Sequence, residues 1–443
     1  MSAYKIFNRL YKLKSIRKIY EEKIKLKPST GIDGVNDVSF EKNMDLYLDI
    51  IHRKVNNNTY NFVPYKEKLI NKGRGKYPRI ISIPSLRDKL TLTILHTLLS
   101  KVYIKEINNE IVQTVIFKMK KSINNPNYNY FIKIDIEKFY DNISHELILK
   151  KLNKKIRKKE IINLVTKAIR TPTITSYTQK PYPFNNLGVP QGLSISNILA
   201  NIYMNQLDYE YSQQNKCGYF RYVDDILIIC NDKDKNMIEL NLINEIKKLN
   251  LSINTDKNKY GYLHEEFTFL GYRFNNKKTG VRQENVYKLE KSLIEVFTKY
   301  KYSNYTRSSE FVWSLNLKIT GGIIDEKKYG WVFFYSQIDD IETLYKLDSF
   351  ILKLFKRFNI KNISPKTIKS FVKTHHEILY KRSTSKYIPN FDKYTINQKK
   401  DFLINVVSLK NINKLNDEAI DKKFRSYVFK TIKKLEKDIQ HIS

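Results

Sequence analysis

The stretch Phe220-Arg221-Tyr222-Val223-Asp224-Asp225-Ile226-Leu227-Ile228-Ile229 decides the fold of this 443-residue chain. Two adjacent carboxylates separate two apolar runs, and this pattern predicts a tight β-hairpin with Asp224 and Asp225 at its tip. Two neighbouring negative charges in an apolar setting are costly unless a cation joins them. The stretch therefore predicts a metal-dependent site, whereas an aspartate pair without such flanks is usually a solvated turn.

A second acidic position lies upstream, in the short apolar run Phe131-Ile132-Lys133-Ile134-Asp135-Ile136. We expect this run to form a strand that places Asp135 beside the hairpin tip, where it would complete a set of three carboxylates. Sites rich in hard oxygen ligands suit Mg²⁺, which keeps waters and substrate phosphates as its other ligands. A pair of such ions is a common device for phosphoryl transfer.

The composition indicates a globular protein with a polyanionic partner. The chain is 41% hydrophobic, and 80 Lys and Arg against 45 Asp and Glu leave a net charge of +35. A compact fold tolerates this self-repulsion best when a polyanion covers its surface, which favours nucleic acid over other partners. The alternative is an AT-rich genome, which would raise the number of lysines for no functional reason.

Other compositional features exclude several classes of protein. Cys217 and Cys230 are the two cysteines, which is too few for a disulfide framework, and seven scattered His argue against structural zinc. No apolar run approaches the length of a membrane span, and the N-terminal residues lack the apolar core of a secretory signal. The expected setting is therefore cytoplasmic, with no membrane partner.

Strand and helix patterns alternate as far as about residue 275, which predicts one α+β domain. Residues 4–27 predict a basic amphipathic helix, and residues 76–83 predict a strand before a helix that begins near Pro84. Further predicted elements are a turn at 31–34, a helix capped near Ser144, a loop at 187–193 leading into a helix, a helix over 236–250, and a strand pair ending at 267–272. Beyond residue 275 the pattern is mostly helical.

The motifs follow one another in a characteristic order. The Asp135 strand, the loop Val189-Pro190-Gln191-Gly192 and the hairpin Tyr222-Val223-Asp224-Asp225 together strongly resemble the reverse transcriptases. The resemblance covers roughly residues 28–275, and it is specific as an ordered set although each motif alone is weak. Four further segments are similar to motifs of bacterial and group II intron-type enzymes: Gly31-Ile32-Asp33-Gly34-Val35, Arg79-Ile80-Ile81-Ser82-Ile83-Pro84 with Asp88-Lys89 (where Arg is more usual at position 89), Asn254-Thr255-Asp256-Lys257, and Phe269-Leu270-Gly271.

This resemblance implies an α+β right-hand polymerase. Fingers and palm, built from antiparallel sheet and helices, would be followed by an α-helical thumb and a helical C-terminal region. The implied divisions are a basic N-terminal helical extension at 1–30, fingers and palm at 31–275, a thumb at 276–380 and an appendage at 381–443.

The resemblance also implies the ligands of the metal site. Asp135 and Asp224 would hold two Mg²⁺ ions, for which Mn²⁺ could substitute, while Asp225 assists and the carbonyl of Ile136 adds a ligand. Because neighbouring residues of a strand point to opposite faces, Asp224 and Asp225 cannot be equivalent. We expect Asp224 to be the more direct ligand.

Residues that contact the substrate follow from the same resemblance. Arg79 would clamp the triphosphate, with Arg74 and Lys76 as further candidates, and Tyr140 would be the ribose gate that favours dNTPs. Gln191 and Gly192 would contact the nascent base pair or template, and Lys257 would protonate pyrophosphate. For each of these the alternative is structural: a surface cation, a core aromatic or a simple turn. Tyr222, Val223, Phe269, Leu270 and Gly271 are the residues expected to contact nucleic acid, the last three as a primer grip or as ordinary strand packing.

The resemblance is less specific about the group of reverse transcriptases. Since no endonuclease, integrase or ribonuclease H signature occurs, the chain looks like the stand-alone bacterial enzymes, most of all the defence-associated, abortive-infection type. That group implies antiphage defence, a noncoding RNA template, a DNA product, and in some members protein-primed or template-independent synthesis. A retron or group II intron-type enzyme acting on its cognate RNA is the main alternative. A maturase with an incidental polymerase site, an RNA-dependent RNA polymerase and a homo-oligomeric state stay open.

Overall fold

A computed structural model describes residues 2–25, 29–71, 75, 77–107, 110–176, 182–303, 307–381 and 384–439, apart from the side chain of residue 413. Helices and strands are mixed, so the predicted α+β class is confirmed. The helices are α1 (Ala3–Leu10), α2 (Leu13–Ile19), α3 (Asp37–Lys42), α4 (Met44–Asn56), α5 (Leu86–Val102), α6 (Val112–Ile123), α7 (His145–Asn153), α8 (Lys159–Arg170), α9 (Ser196–Ser212), α10 (Lys235–Lys248), α11 (Gln283–Tyr302), α12 (Ser308–Thr320), α13 (Trp331–Phe334), α14 (Glu342–Arg357), α15 (Phe371–Tyr380), α16 (Ile396–Asn405) and α17 (Asp417–Glu436). The strands are β1 (Tyr65–Ile70), β2 (Arg79–Ile83), β3 (Tyr130–Asp135), β4 (Thr173–Ile174), β5 (Cys217–Tyr222), β6 (Asp225–Cys230), β7 (Lys259–Tyr262), β8 (Phe267–Phe269), β9 (Tyr272–Asn275), β10 (Lys278–Val281), β11 (Gly322–Ile324) and β12 (Lys327–Tyr329).

The chain divides into two compact units. The first comprises residues 1–110 and 127–261, and the second comprises residues 111–126 and 262–443. The domain boundaries at residues 30, 275 and 380 stay predictions. Within the described residues, no helix combines the length and the apolar character that crossing a membrane requires.

The first unit is organised around a four-stranded sheet in the order β5-β6-β3-β7. Strand β6 lies between β5 and β3, pairs antiparallel with both, and all six of its residues are buried. A central strand is covered on both faces, which is why it reads as a continuous apolar run rather than an alternating one. A second sheet, in the order β2-β1-β4, carries the segment that begins at Arg79.

Helices α5, α7, α8 and α9 supply much of the apolar core of the first unit. Helix α5 begins where Ser85 accepts a hydrogen bond from the Asp88 amide, and α7 begins where Ser144 accepts one from the Leu147 amide, as the sequence predicted for Ser144. Helices α5 and α9 have buried residues around most of their circumference, so they are core helices rather than surface helices.

The second unit contains α6 and the chain that follows β7. Helix α6 belongs here because Gln113 Nε2 donates to the Phe333 carbonyl (3.1 Å) and Lys120 Nζ donates to the Gln337 carbonyl (3.0 Å). An aromatic cluster of Phe297, Phe311 and Phe355 joins α11, α12 and α14 through edge-to-face ring contacts.

The prediction of one continuous N-terminal helix was wrong. Residues 4–27 do not form one helix, because α1 ends near Tyr11 and Lys12 adopts extended backbone before α2 begins. The Tyr11 side chain is buried and its hydroxyl donates to the Thr91 carbonyl (3.3 Å), so a tertiary contact outweighs helical continuity. The region after residue 275 is mostly helical, as predicted, and it also includes β10 and the β11–β12 hairpin.

Candidate active site

Three carboxylates lie together at one end of the central strands, where β3 ends and the β5–β6 hairpin turns. Tyr222 pairs with Asp225 as the last pair of the β5–β6 hairpin, and Asp225 also pairs with Asp135 at the end of β3. Directly opposed residues of antiparallel strands project to the same face, so the side chains of Asp135 and Asp225 are neighbours. The backbone amide of Ile136 donates to the carbonyl of Asp224 (3.3 Å), which joins β3 to the hairpin tip.

The hairpin tip differs from the prediction in one respect. The two connecting residues are Val223 and Asp224, whereas Asp225 is the first residue of β6 and is only 3% exposed. A two-residue connection suffices because Val223 adopts a positive φ of 61°. The two aspartates are therefore not equivalent: Asp224 is partly exposed at the tip, and Asp225 is buried in the sheet.

The electrostatics of the carboxylates favour a bound cation. Burial is the main cause that raises the pKa of Asp224, and the charge of Asp135 raises it further. Burial also raises the pKa of Asp225 to about 6, with Asp224 and Asp135 adding to the rise while Lys133 opposes it. Ionised Asp224 and Asp225 are thus destabilised by desolvation and by neighbouring charges, and a divalent cation would relieve both effects.

The chemistry of this donor set fits Mg²⁺ or Mn²⁺, because all three side chains offer hard oxygen ligands. Among the described residues, no three His, Cys, Asp or Glu side chains already surround a single point as a finished cage. Lys257 Nζ donates to Asp135 Oδ2 at 2.8 Å and serves as its counter-ion. Lys257 is largely exposed, so this ion pair is open to exchange with solvent cations.

Arg79 and Tyr140 lie within electrostatic reach of the carboxylates. The Arg79 charge opposes the rise in the pKa of Asp224. Burial, followed by the charge of Asp224, raises the pKa of Tyr140 to about 12. The Tyr140 ring packs against Phe139 in a short 3₁₀ helix (Phe139–Asn142) that follows β3. Arg74 and Lys76 fall outside the described residues.

The loop over residues 187–193 connects Tyr140 to the strand that carries Arg79. The Val189 amide donates to the Tyr140 carbonyl (2.8 Å), and the Gln191 carbonyl accepts from the Ser82 amide (2.7 Å). The Gln191 side chain reaches Asp141 at 3.5 Å. The loop therefore packs between the 3₁₀ helix and β2.

Gly192 is required by both the conformation and the packing of this loop. Its φ is +101°, and a Cβ there would lie 2.6 Å from the Ile81 side chain and 3.1 Å from the Ser82 carbonyl oxygen. A side chain would push the loop away from β2, because the Ile81 methyl group that it meets is attached to a branched, stiff Cβ and the Ser82 carbonyl lies close behind.

We expect Gly192→Ala to lower the free energy of unfolding by about 2–4 kcal/mol, since backbone strain and a steric clash add. Gly34→Ala is the matched control: Gly34 has φ +70° with nothing within 4 Å of its Cβ position, so only the strain of about 1 kcal/mol applies. Urea denaturation of both variants measures the difference. Equal losses of stability would show that the contact with β2 is unimportant.

The remaining predicted residues occupy two places. Tyr222 and Val223 lie at the hairpin tip, where Tyr222 is 38% exposed. Phe269, Leu270 and Gly271 lie in the second unit, at the turn between β8 and β9, where Leu270 and Gly271 both have positive φ and the side chains of Phe269 and Leu270 are buried. Their role as a primer grip stays a prediction.

The sequence did not predict a group of residues that joins the hairpin to helix α9. Arg221 was quoted within the motif without a role, and Asp208 and Asn201 on α9 were not singled out. In the structure the Arg221 guanidinium contacts both of them and the backbone of the tip. The available signal was Asp208, a carboxylate that follows the buried Leu207 on a largely apolar helix.

Comparison with known proteins places a family match over this site. Residues 70–274 match the family described as "Reverse transcriptase (RNA-dependent DNA polymerase)". The matched region contains the three carboxylates, Arg79, Tyr140, the 187–193 loop and Lys257.

Relatives with low identity cover about half of the chain. A putative COX1/OXI3 intron 2 protein of Saccharomyces cerevisiae is 28% identical over 319 residues, which is 56% of this chain and 36% of the yeast protein. Protein YkfC of Escherichia coli is 22% identical over 298 residues, covering 56% of this chain and 76% of YkfC. The group II intron-encoded protein LtrA of Lactococcus lactis is 23% identical over 214 residues, covering 46% of this chain and 35% of LtrA. The chain thus spans about a third of the length of the yeast and Lactococcus relatives.

Among solved structures, the chain is similar to telomerase from Candida albicans in complex with a fragment of telomeric RNA. The identity is 13% and the TM-score is 0.44, over 92% of this chain and 71% of the telomerase chain.

Proposed function

We propose that this chain, whose residues 70–274 match the reverse transcriptase family, is an RNA-directed DNA polymerase that joins dNTPs by two-metal phosphoryl transfer. The observation that carries the proposal is the convergence of Asp135, Asp224 and Asp225 at one edge of the β3–β6 pair, within the matched region. Buried carboxylates that repel one another at the end of a strand pair destabilise the fold unless cations bind them.

Each residue near the carboxylates has a chemical task in this proposal. Asp135 and Asp224 would hold two Mg²⁺ ions, with Asp225 and the Ile136 carbonyl in support; such ions lower the pKa of a primer 3′-hydroxyl and neutralise the triphosphate. Arg79 would bind the triphosphate, and its proximity to Asp224 supports that position. Lys257, paired with Asp135, would be released toward the leaving pyrophosphate.

The loop and the 3₁₀ helix would define the nucleotide pocket. Tyr140 is held by its packing on Phe139 and by the hydrogen bond that its carbonyl accepts from the Val189 amide, which supports a rigid gate against a 2′-hydroxyl. Gly192 holds the loop close to β2, so that Gln191 can face the nascent base pair. Tyr222 and Val223 at the hairpin tip would contact the primer strand.

An RNA template is the partner best supported by charge and kinship. The net charge of +35 suits a phosphate backbone. The names of two of the relatives refer to intron-encoded proteins, and this supports the retron or intron-type alternative, with a cognate RNA as template. Antiphage defence, a noncoding RNA partner in that role and protein-primed synthesis stay predictions from the sequence.

The proposal is tested by purifying the full chain with its bound RNA and incubating it with labelled dNTPs or NTPs and Mg²⁺. We expect DNA synthesis that depends on RNA, and the sequence of the copurified RNA and of the product identifies the template. Incorporation of NTPs alone would instead indicate an RNA polymerase. Binding of RNA with no incorporation of either substrate would leave a maturase role and refute the polymerase.

Arg79 provides a graded test of triphosphate binding. We expect Arg79→Ala to raise the KM for dNTP by about 10- to 100-fold, because a charge-assisted contact to phosphate is lost. Arg79→Lys keeps the charge but not the two-pronged geometry, so its KM should fall between those of wild type and Arg79→Ala. Steady-state incorporation on one fixed primer–template measures this, and an unchanged KM in both variants would remove Arg79 from the substrate site.

A further inference from the structure

The hairpin tip contains backbone strain at a residue poorly suited to it. Val223 has φ +61°, in the left-handed region that β-branched residues rarely adopt. Such a conformation costs about 1–3 kcal/mol and persists only where surrounding contacts impose it. Glycine or asparagine would normally occupy this position of a two-residue connection. Some contact must therefore hold the Val223 backbone.

Arg221 makes that contact. Its Nη1 donates to the carbonyl of Val223 (2.8 Å), while its Nε and Nη2 donate to the two carboxylate oxygens of Asp208 (2.6 and 2.5 Å). Nη2 also reaches Asn201 Oδ1 at 3.3 Å. One planar guanidinium thus joins the hairpin tip to two residues of helix α9.

Asp208 is itself held in place. Besides the two bonds from Arg221, its Oδ1 accepts a hydrogen bond from the Tyr219 hydroxyl (2.9 Å). Tyr219 and Arg221 are both on β5, two residues apart, so they present their side chains on the same face of the sheet toward α9. Helix α9 is among the most buried elements of the unit and is a rigid support.

Stability alone does not explain this ion pair. The Arg221 side chain is 4% exposed, and a buried ion pair can often be replaced by apolar residues without loss of stability. What an apolar pair cannot supply is a donor aimed at the Val223 carbonyl. Lysine cannot supply it either, because a single ammonium does not have the three fixed directions that Arg221 uses here.

We propose that Arg221, supported by Asp208, is a positioning residue that holds the strained Val223 backbone and thereby fixes the carboxylate of Asp224 for catalysis. This inference rests on the proposed function, because it assigns Arg221 to the geometry of that same site. Val223 immediately precedes Asp224, so rotation of the Val223 peptide would swing the Asp224 carboxylate away from Asp135. Displacement of a catalytic group by about 1 Å can cost about 100-fold in rate.

The test compares Arg221→Met, Arg221→Lys and Asp208→Asn in single-nucleotide incorporation by the full chain. We expect kcat to fall about 10- to 100-fold in Arg221→Met, with the KM for dNTP changed less than about threefold. The kcat of Arg221→Lys should stay close to that of Arg221→Met, because an ammonium group cannot contact Val223, Asp208 and Asn201 at the same time. A kcat within about twofold of wild type in Arg221→Met would overturn the proposal.

A double-mutant cycle with Val223→Gly separates positioning from general destabilisation. Glycine adopts positive φ without strain, so the effect of Arg221→Met on kcat should be at least about threefold smaller in the Val223→Gly background. Leu242→Ala, a core truncation on α10, is the stability control, since it should lower the melting temperature without a comparable loss of kcat. Equal effects of Arg221→Met in both backgrounds would indicate a merely structural role.

Hydrogen–deuterium exchange provides a readout that does not require polymerase activity. Exchange at the amides of residues 223–225 should be faster in Arg221→Met than in wild type, while the amides of β3 stay protected. Unchanged exchange at the tip would overturn the inference even if the enzyme is a polymerase. Faster exchange in a protein that incorporates no nucleotide would retain the positioning of the tip and refute the proposed function instead.

Discussion

Asp224→Asn should abolish nucleotide incorporation, with a loss of roughly 10³-fold or more, while RNA binding stays within about twofold of wild type. Asn keeps the size of the side chain but removes the charge that a divalent ion requires. Asp224 is the partly exposed carboxylate of the tip, and its backbone carbonyl is joined to Ile136, so the exchange does not disturb the sheet. Full incorporation by this variant would refute the assigned site.

The same variant should also be more stable than wild type when no divalent ion is present. Burial and Asp135 raise the pKa of Asp224 above its ordinary value, so ionisation at neutral pH destabilises the folded state. Removing that charge should therefore raise the melting temperature measured in EDTA. Mg²⁺ should then stabilise wild type more than the variant.

Asp232→Asn is the matched control for both measurements. Asp232 follows β6 at the end opposite to the site, where its amide donates to Asn129. It should change neither incorporation nor the response of the melting temperature to Mg²⁺. If Mg²⁺ stabilises wild type and Asp224→Asn equally, the three carboxylates are not the magnesium site.

Tyr140→Ala should relax the choice of sugar, raising kcat/KM for NTPs relative to dNTPs by about 10- to 100-fold, or about 1.4–2.7 kcal/mol. The physical reason is steric. The Tyr140 ring is packed on Phe139 and its backbone is tied to Val189, so the ring cannot retreat from an added 2′-hydroxyl. Truncation removes this barrier without touching the carboxylates.

Tyr140→Phe separates the ring from the hydroxyl. It should retain the exclusion of NTPs, because the gate depends on the volume of the ring. Competition between each dNTP and its NTP on one template measures the ratio directly. A ratio that is the same in wild type, Phe and Ala variants would leave Tyr140 as a core aromatic.

Local patterns were sufficient to predict much of the fold of the first unit. The β5–β6 hairpin, β3, the Ser144 cap and helices α5 and α9 all occur where the sequence predicts them, because each depends on periodicity and neighbouring residues alone. Strand β1 was missed because Lys66, Glu67 and Lys68 occupy its middle and interrupt any apolar pattern. Its pairing with β4 also joins residues more than 100 positions apart. The break between α1 and α2 was missed because burial of Tyr11 is a tertiary effect.

The candidate site was likewise predicted in part from the sequence. The acidic motifs in chain order predicted Asp135, Asp224 and Asp225, and the structure brings these three together. Three relations are set by the tertiary structure: the placement of Asp225 within β6, the ion pair of Lys257 with Asp135, and the support of the tip by Arg221. Each depends on contacts between elements distant in sequence.

By itself, the sequence determined the chemical inventory: paired aspartates within apolar runs, the loop that contains Gln191 and Gly192, and a surplus of positive charge. These properties are local or compositional, so they can be recognised without knowledge of the fold. The tertiary structure alone decided which atoms meet, from the contact of Gly192 with β2 to the hydrogen bond that Arg221 donates to Val223. The reason is that close packing and buried hydrogen bonds depend on which residues are neighbours in space. Separation along the chain does not indicate which residues those are.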